Sequence, residues 1–437
     1  MFKSAGTSEE GLKNHYTLIV PFTAQEGFIA GGTKIAELHD VNGGVFDITT
    51  PSAAIDLSQK QLNRFTVSES LVAGLTTVSA GVENWGEADV NTSVAGLDYD
   101  VQSDGTYHIY TGEGLKAWRS AANNGNTSAK LMNDIVMPSG WSPVDDFNGT
   151  FDGNGKTISD LSLNLSSGYP GGIFNILRGG AVVKNLTVEI AGITTTATHT
   201  GGIIGGTQLR ETEVGCIITV ENCKAIGKAG VETHISTSTG SVIGGVLGYG
   251  RSGLKMSGCS SEGLKLNNGA TAGDAGAVIG QLDGDMTLNA CYASGFTIDC
   301  TNRGGGIIGR LNYNSSANTA GSVITACYAA NGTVKGKYAG GIIGDGNANG
   351  TMISCYSTGI TLEGSSNNGG LVGRTNPGTI TTCFTTVTAQ GNNGANDIAG
   401  TYIEKLGDTQ KNAMNASLSG LEYKSSEGVF PFEIKKQ

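Results

Sequence analysis

The 437-residue chain contains 70 glycines but only seven prolines, and 15% of its residues are charged, with a net charge of −11. This negative balance argues against nucleic acid and anionic membranes as partners, because both favour clustered Lys and Arg. No apolar run approaches the ~18 residues of a membrane-spanning helix. The length predicts at least two folding units.

The start of the chain, residues 1–6, is polar and shows no signal peptide. Such a start leaves two interpretations, a cytosolic protein or an exported protein whose signal has been removed. The surface-type composition, rich in Gly, Ser, Thr and Asn, favours the exported protein.

The first unit, residues 1–103, lacks the repeat found further along and reads as short alternating strands. Three of these strands are predicted at 15–22, 64–67 and 78–85, and turn residues such as Asn42-Gly43-Gly44 stand between them. This pattern predicts an antiparallel β-sandwich.

A strand at Tyr107–Tyr110 and a helix over 112–123 are predicted next. Thr111 can cap this helix, and Leu115, Trp118 and Ala122 share one of its faces. We expect the amphipathic helix, within a cap of residues 111–124, to close the open end of the structure that follows.

A Gly-Gly-aliphatic-aliphatic-Gly block then returns roughly every thirty residues. A short unit rich in Gly, Thr, Ser and Asn cannot bury an apolar face alone and must stack on its neighbours, which predicts a solenoid. A weaker member stands at 171–174, and the third block begins Gly-Ala. The six main blocks are 201–205, 244–248, 276–280, 305–309, 340–344 and 369–373.

One cysteine follows each main block, and successive cysteines lie 28 to 36 residues apart: Cys223, Cys259, Cys291, Cys327, Cys355 and Cys383. Stacked coils would place these residues in a column at the ~4.8 Å strand spacing. Buried thiols that fill the interior are the favoured interpretation, and some disulfide pairs are the alternative. Cys216 and Cys300 lie outside the column and are the better candidates for any disulfide.

Three short strands per repeat predict a three-sided, right-handed parallel β-helix over residues 104–437. One strand carries the glycine block, one ends near the cysteine, and one holds an aliphatic residue seven positions later. A second cap is expected at 401–437, where Asp408 can be the N-cap of a helix that runs to about Leu418. Met414 and Leu418 would face inward, and 430–434 would form a terminal strand. The whole chain is therefore predicted to be all-β with two helical caps.

The repeats resemble GLUG repeats. The resemblance rests on the glycine blocks followed by Cys291-Tyr292-Ala293-Ser294-Gly295, Cys327-Tyr328-Ala329-Ala330 and Cys355-Tyr356-Ser357-Thr358-Gly359, and on the entry segments 109–118 and 149–158. Upstream, 55–58 and 82–88 are similar to the end of a fimbrillin-like sandwich. Such proteins belong to the surface of Bacteroides-type bacteria. The resemblance implies export, attachment at the outer-membrane surface and a role in adhesion.

The aromatic residue after the cysteine should stack from coil to coil as Tyr292, Tyr328, Tyr356 and Phe384. If the rings point outward, they form a strip on which sugar rings could lie, and if inward, they are core. The structural role is favoured, because stacked aromatics stabilise a solenoid on either side. These four residues are nevertheless the ligand-binding candidates.

The residue directly after the block is Arg310, Asp345 and Arg374 on three successive coils. Opposite charges one strand apart should pair across the strands, which is the favoured interpretation. The alternative is a groove that binds an acidic polysaccharide.

Metal binding and catalysis have little support in the residues. Asp345–Gly350 begins like a calcium loop, but Tyr356 stands where a bidentate Glu is needed. Asp152–Gly155 is typical of a turn, although Asp145 and Asp146 nearby leave a surface calcium site as an alternative. The five histidines are scattered. The nearest carboxylates to a cluster are Glu262, Asp283, Asp285 and Asp299. No catalytic, cofactor or metal residue is therefore assigned.

The sequence predicts a non-enzymatic surface adhesin that binds glycans or extracellular proteins through a repetitive solenoid face, where weak contacts gain by avidity. Fimbrial subunits are possible partners of the N-terminal unit, and membrane attachment would be peripheral, through a lipid anchor outside this sequence. A carbohydrate-active enzyme, a polysaccharide lyase or glycosidase, is one alternative. A ligand-free spacer is another.

Overall fold

The computed structural model describes residues 98–165, 171–237, 242–251, 253–269, 272–312, 321–346, 350–374, 378–388 and 401–424. Within 1–97 and 425–437 it describes the backbone of the strands alone. The chain divides into two compact units, 1–92 and 93–437.

The first unit contains antiparallel strands, as predicted. Four of them form one sheet in the order Lys3–Ala5, His15–Leu18, Asn63–Ser68 and Ser79–Asn84. Two further pairs join Phe28–Ile29 to Ile55–Asp56 and Lys34–His39 to Val45–Thr49. The turn predicted at 42–44 lies outside the described residues.

The second unit is a parallel β-solenoid whose strands form three sheets, which confirms the three-sided β-helix. Sheet 1 has 11 strands: Tyr99–Val101, Tyr107–Ile109, Ala129–Leu131, Thr150–Asp152, Val182–Lys184, Ile218–Glu221, Leu254–Ser257, Thr287–Asn289, Val323–Thr325, Thr351–Ile353 and Thr379–Thr381. Its first strand is antiparallel to the second, and the others are parallel.

Sheet 2 receives up to three strands from each coil. It contains Ile135–Val136, Thr157–Leu165, Thr187–Thr195, His199–Gly201, Lys224–Gly227, Ile235–Thr237, Val242–Gly244, Ser260–Glu262, Lys265–Asn268, Asp274–Gly276, Tyr292–Ser294, Thr297–Cys300, Arg303–Gly305, Tyr328–Gly340, Tyr356–Gly369, Phe384–Thr385 and Thr401–Tyr402. Sheet 3 contains Phe174–Leu177, Ile204–Thr207, Leu247–Arg251, Ile279–Asp283, Ile308–Asn312, Ile343–Asp345 and Val372–Arg374. A short 3-10 helix, Glu211–Glu213, lies between coils.

The cysteine column is buried inside the solenoid. All six members lie in the hydrophobic core, and their thiols are free. The amide of Cys223 donates to the sulfur of Cys259 over 3.4 Å, so neighbouring cysteines are in direct contact along the column. Burial raises the pKa of the Cys259 thiol, which keeps it protonated. Cys216 is exposed and Cys300 buried, and both are free thiols as well.

The corner between sheets 1 and 2 precedes the cysteine and places one residue in the left-handed region. The early coils use Asn222 and Gly258 there, with φ of 51° and 62°. These two residue types tolerate this conformation well. Later coils use Ala290, Ala326, Ser354 and Thr382, with φ between 53° and 55°. The corner geometry is therefore kept although the residue changes.

The Gly-Gly-aliphatic-aliphatic-Gly block forms the corner between sheets 2 and 3. We expected it within one strand, but in the block 305–309 one strand ends at Gly305 and the next begins at Ile308. A Cβ on Gly305 would lie 1.8 Å from the carbonyl oxygen of Ile308. One on Gly309 would lie 2.7 Å from the backbone of Ala275 in the preceding coil. Glycine is required because the backbones touch across this corner.

Helix α1, Gly112–Ala122, covers the first coils as predicted. The hydroxyl of Thr111 caps it by accepting a hydrogen bond from the amide of Gly114 over 3.2 Å. The indole of Trp118 is fully buried and packs edge-on or tilted against Phe147, Phe151 and Phe174. This aromatic cluster closes the apolar core at the N-terminal end of the solenoid.

Helix α2, Asp408–Ala416, begins one residue earlier than predicted, because Gly407 is the cap and Asp408 the first helical residue. Leu421–Lys424 follows it and pairs antiparallel with Glu433–Lys436. Met414 is buried as expected. The helix packs on the side of the last coils, where Met414 shares an apolar cluster with Tyr328 and Tyr356. No helix among the described residues has the length and apolar character that crossing a membrane requires.

Candidate functional site

The four aromatic candidates form the predicted stack on the outer side of sheet 2. The rings of Tyr292, Tyr328 and Tyr356 lie 5.0 and 4.9 Å apart and within 5° of parallel. Phe384 continues the column in register with Tyr356. Ala293 follows Tyr292 in the same strand and points into the core. Side chains alternate between the two faces of a strand, so the stacked rings point outward. We call this column the tyrosine ladder.

The C-terminal segment 401–424 covers the tyrosine ladder. Tyr356 is 0% and Tyr328 4% exposed, because Leu406, Met414 and Tyr423 pack over them. The ring of Tyr423 meets that of Tyr356 edge-on at 5.4 Å. The outward-facing rings of Tyr328 and Tyr356 therefore belong to a second apolar core, which lies outside the solenoid. Within the tyrosine ladder, Tyr292 and Phe384 are only partly buried.

Polar bonds hold the segment in place. The hydroxyl of Tyr423 donates to the carbonyl oxygen of Ser354 over 2.7 Å, and the hydroxyl of Ser354 donates to that of Met414 over 2.9 Å. Burial raises the pKa of Tyr423 well above its ordinary value, so this hydroxyl stays a donor. A ligand that used the whole ladder would have to displace segment 401–424.

The glycine corner bends toward the outside of the coil. In the strand Asp274–Gly276, Ala275 belongs to the core, so Asp274 and Gly276 point outward. An outward Cβ on Gly276 would meet the oxygen of Ile279 at 1.9 Å and the nitrogen of Gly309 at 2.6 Å. The backbone of sheet 3 therefore lies against the outer face of sheet 2, and the corner is re-entrant.

Three columns of side chains line this corner, which we call the glycine groove. The first holds the residue two positions before each block, the second the residue directly after it, and the third the residue two positions further on. The first column is His199, Val242, Asp274, Arg303, Tyr338 and Asn367. The second column is Gly206, Tyr249, Gln281, Arg310, Asp345 and Arg374. The third column contains Arg251, Asp283 and Asn312.

The two walls touch each other by one repeated rule. A first-column residue contacts the second-column residue of the next coil: His199 stacks on Tyr249 at 4.4 Å, Arg303 bonds Asp345 at 2.8 Å, and the guanidinium of Arg374 lies 4.2 Å from the ring centre of Tyr338. Side chains on a convex corner would diverge instead. The rule therefore confirms that the groove is concave.

A buried ionic network occupies its centre. Arg303 donates from Nη1 to both carboxylate oxygens of Asp274, each over 3.1 Å, and from Nε to Asp345. Arg374 adds a bidentate pair to Asp345, at 3.0 and 2.5 Å. Burial raises the pKa of Asp274, and the guanidinium of Arg303 opposes that shift. The network holds the two walls of the groove together.

The predicted charge ladder is partly correct. Arg374 pairs with Asp345, but the partner of Asp345 on the preceding coil is Arg303 of the first column. Arg310 stands in register with Asp345 and donates instead to Asn312 over 3.3 Å. The reason is the re-entrant corner, because it brings a residue seven positions earlier in the same coil close to the next coil.

The N-terminal end of the groove is aromatic. Tyr249 donates to Asp283, and the guanidinium of Arg251 lies 5.0 Å from the centre of its ring. Burial and Asp283 raise the pKa of Tyr249 to about 12. Burial, helped by Arg251, lowers the pKa of His199 to about 4. His199 is therefore neutral near pH 7 and acts as a flat, stacked ring.

The other predicted carboxylates do not come together. Asp285 accepts from the amide of Gly321, Asp299 pairs with Lys335, and Glu262 pairs with Lys224 and accepts from the hydroxyl of Tyr292. Asp283 alone joins the glycine groove. These side chains thus serve separate local contacts.

The predicted calcium positions are also engaged locally. Asp152 accepts from the amide of Asn154 and lies 3.4 Å from the ammonium of Lys184, which is turn chemistry. Asp146 pairs with Arg178 and Arg210. No cluster of three metal-binding side chains occurs within the described part of the chain.

Comparisons with known proteins do not place the chain in a family. No family model matches the chain. Over 69 residues it is 36% identical to halomucin of Haloquadratum walsbyi, a stretch that is 16% of this chain and 1% of halomucin. A crystal structure of a "putative immunoglobulin A1 protease" from Bacteroides ovatus matches with a TM-score of 0.49 and 19% identity, over 75% of this chain and 92% of that one. The resemblance to GLUG and fimbrillin-like proteins stays a prediction.

Sequence reasoning found one column of the glycine groove and missed the other two. The signal was present, because Asp274, Arg303 and Tyr338 each stand two positions before a block. What it lacked was the direction in which the corner bends. With that direction known, both flanks of every block would have been grouped into one site.

Proposed function

We propose that this protein is a non-enzymatic surface adhesin or display protein, and that the glycine groove is its ligand-contacting surface. The observation that carries the proposal is the groove itself, in which two walls of side chains meet from His199 to Arg374 along the solenoid. Its lining is rich in Arg and Tyr, which dominate the energetics of binding surfaces. A rigid groove also spares the ligand the entropy cost of ordering loops.

The glycine groove is a better candidate than the tyrosine ladder. The ladder is covered by segment 401–424, whereas Arg251 of the groove is exposed and the side chain of Arg374 is 37% exposed. At the edge of the groove the exposed Lys337 places its ammonium 5.1 Å from the centre of the Tyr338 ring. Tyr338 offers a ring beside two cations, and Lys337 and Arg374 lower its pKa by stabilising the phenolate. Aromatic rings edged by hydrogen-bonding groups suit sugar recognition.

The geometry favours binding over catalysis. A glycosidase needs a pair of carboxyl groups free to act on the substrate. Here Asp345 is 4% exposed and held by two guanidinium groups, and Asp274 is held by Arg303. Hydrolysis would require this network to come apart, so we propose that the carboxylates shape the groove.

The test is a glycan and extracellular-protein array probed with the full chain, with reducing-sugar release measured on each glycan that binds. We expect saturable binding without product, weakened by Tyr338→Ala. The matched control is Lys255→Ala, on the outer face of sheet 1, which should bind like the parent. Product release would favour the enzyme. Binding unchanged by Tyr338→Ala would contradict the groove, and no binding at all would favour the spacer.

The cellular setting is part of the same proposal. We expect the chain at the extracellular face, with the N-terminal unit contacting anchoring or fimbrial subunits. Protease treatment of intact cells of the source bacterium should degrade the protein, while a cytosolic marker survives. Survival of both would contradict a surface location.

A further inference from the structure

The ionic side chains of the glycine groove alternate in sign along the solenoid axis. On five successive coils, the wall formed by sheet 3 presents Arg251, Asp283, Arg310, Asp345 and Arg374. Coils stack at the strand spacing of about 4.8 Å, so a cation returns roughly every 10 Å. Arg251 and Asp283 stand in the third column, and Arg310, Asp345 and Arg374 stand in the second, two residues away along each strand. The alternation therefore runs along the axis across two columns of the same groove.

The groove carries an excess of positive charge within an acidic protein. Its cations are the four arginines 251, 303, 310 and 374 and Lys337, and its anions are the three aspartates 274, 283 and 345. The chain as a whole carries −11. Such a local reversal concentrates anionic ligands at the groove and repels them elsewhere.

The arginines of the series are placed to receive a ligand. Arg251 is exposed, and the guanidinium of Arg374 is partly open although it holds Asp345. Arg310, between them, is half-buried and spends one terminal nitrogen on Asn312. A guanidinium has five N–H donors, so each of these groups retains donors for a carboxylate.

A linear polymer of six-membered sugars advances about one coil spacing per sugar. A carboxylate on every second sugar would therefore meet Arg251, Arg310 and Arg374 in turn. The intervening sugars would lie beside Asp283, whose part-buried carboxylate can accept a further hydrogen bond from a hydroxyl or amide N–H group, and over the buried carboxylate of Asp345, which Arg303 and Arg374 already hold. A carboxylate on every sugar would instead face these aspartates and be repelled.

We infer that the glycine groove binds an extended acidic polysaccharide that carries one carboxylate on every second sugar, aligned with the solenoid axis. This inference rests on the proposed function and specifies its ligand class. The repeat of the ligand is matched to two coils, so affinity should rise with the number of disaccharides until the groove is filled.

The experiment is titration calorimetry of the full chain with three octasaccharides. The first alternates glucuronate with N-acetylglucosamine, the second is the same with its carboxyl groups reduced to alcohols, and the third is contiguous galacturonate. We expect the first to bind at least tenfold more tightly than either of the others, with a dissociation constant that rises with salt. Equal binding of the first and third would overturn the alternation. Equal binding of the first and second would overturn recognition of charge.

Single substitutions test whether Arg310 belongs to the polysaccharide-binding site. Arg310→Gln should weaken the alternating octasaccharide at least tenfold, Arg310→Lys should retain part of the affinity, and Lys255→Gln on sheet 1 should bind like the parent. Unchanged circular dichroism and melting temperature would show that each variant is folded. Full affinity of Arg310→Gln would overturn the assignment. If neutral glycans bind and Tyr338→Ala abolishes that binding, the proposed function stands and this inference fails.

Discussion

Replacing Gly305 with alanine should open the glycine corner. The new Cβ would lie 1.8 Å from the carbonyl oxygen of Ile308 and 2.7 Å from the amide nitrogen of Gly344, whereas contacts under 3.0 Å are essentially never found. The corner would have to widen by about 1.2 Å to reach that limit. Both obstructing atoms belong to backbone, so a change of rotamer cannot relieve the clash.

Such widening would disturb the stack on both sides. The carbonyl of Gly305 accepts from the amide of Ala277 over 3.2 Å, and the amide of Gly306 donates to Gly340 over 3.1 Å. Each buried backbone bond that is lost costs about 1–3 kcal/mol, and the displaced core side chain of Ile308 adds to this. We expect the free energy of unfolding to fall by about 4 kcal/mol or more.

The matched control is Gly192→Ala in the strand Thr187–Thr195. No heavy atom lies within 4 Å of the position its Cβ would take, and its φ is outside the left-handed region. Alanine there should stabilise by about 0.4–1 kcal/mol, because it restricts the unfolded chain. The pair separates close approach at the corner from a general preference for glycine in this protein.

The assay is thermal unfolding followed by far-UV circular dichroism. For a unit of this size, a loss of about 4 kcal/mol in Gly305→Ala corresponds to a melting temperature lower by roughly 5–6 °C. The variant should also lose affinity for any groove ligand. A melting temperature within about 2 °C of the parent would refute the assignment of Gly305 to a tight re-entrant corner.

Three further predictions concern single side chains. The pKa of His199 is about 4 in the folded chain and near 6.5 when unfolded, so between these values the unfolded state binds the extra proton. The free energy of unfolding should therefore fall by at most about 3 kcal/mol as the pH drops from 6.5 to 4. Urea titrations should show this pH dependence in the parent and not in His199→Gln, and parallel pH curves for the two proteins would contradict the prediction. Asp345→Asn should cost about 3 kcal/mol in chemical denaturation, because it removes the counter-ion of Arg374 and one of the two counter-ions of Arg303. Asp299→Asn, in an exposed pair with Lys335, should cost under about 1 kcal/mol, and equal losses would count against a buried network. Tyr423→Phe should cost about 1–2 kcal/mol, because it leaves the carbonyl oxygen of Ser354 without its hydrogen-bond donor. Amide hydrogen exchange within 401–424 should become faster in this variant, and unchanged exchange would argue against this bond as an anchor.

Much of the fold could be predicted because the repeat imposes the same constraint on every coil. A cysteine at a fixed position must either be buried each time or exposed each time, and free thiols in a column satisfy burial without disulfides. The cap of α1 at Thr111 was predictable for a similar reason, because capping depends on residues within one turn of the helix.

The candidate site was less predictable because it depends on contacts between distant residues. Strand alternation tells which side chains leave the core, but not whether a corner bends inward or outward. The pairing of Arg303 with Asp345 requires the inward bend and spans 42 positions. The tyrosine ladder is a second example, since the sequence left the direction of its rings open. Only the fold shows that the rings point outward and that segment 401–424 packs over them.

The sequence by itself determined that this protein is a β-solenoid with an interior column of thiols, because a repeat of this size cannot bury its apolar face alone and must stack on its neighbours. Only the tertiary structure decided where a ligand could bind. The glycine blocks let backbones touch across the corner, and that contact turns two outward faces toward each other. A groove lined by Arg, Asp and Tyr results from the curvature of the chain, which no single repeat encodes as a pattern.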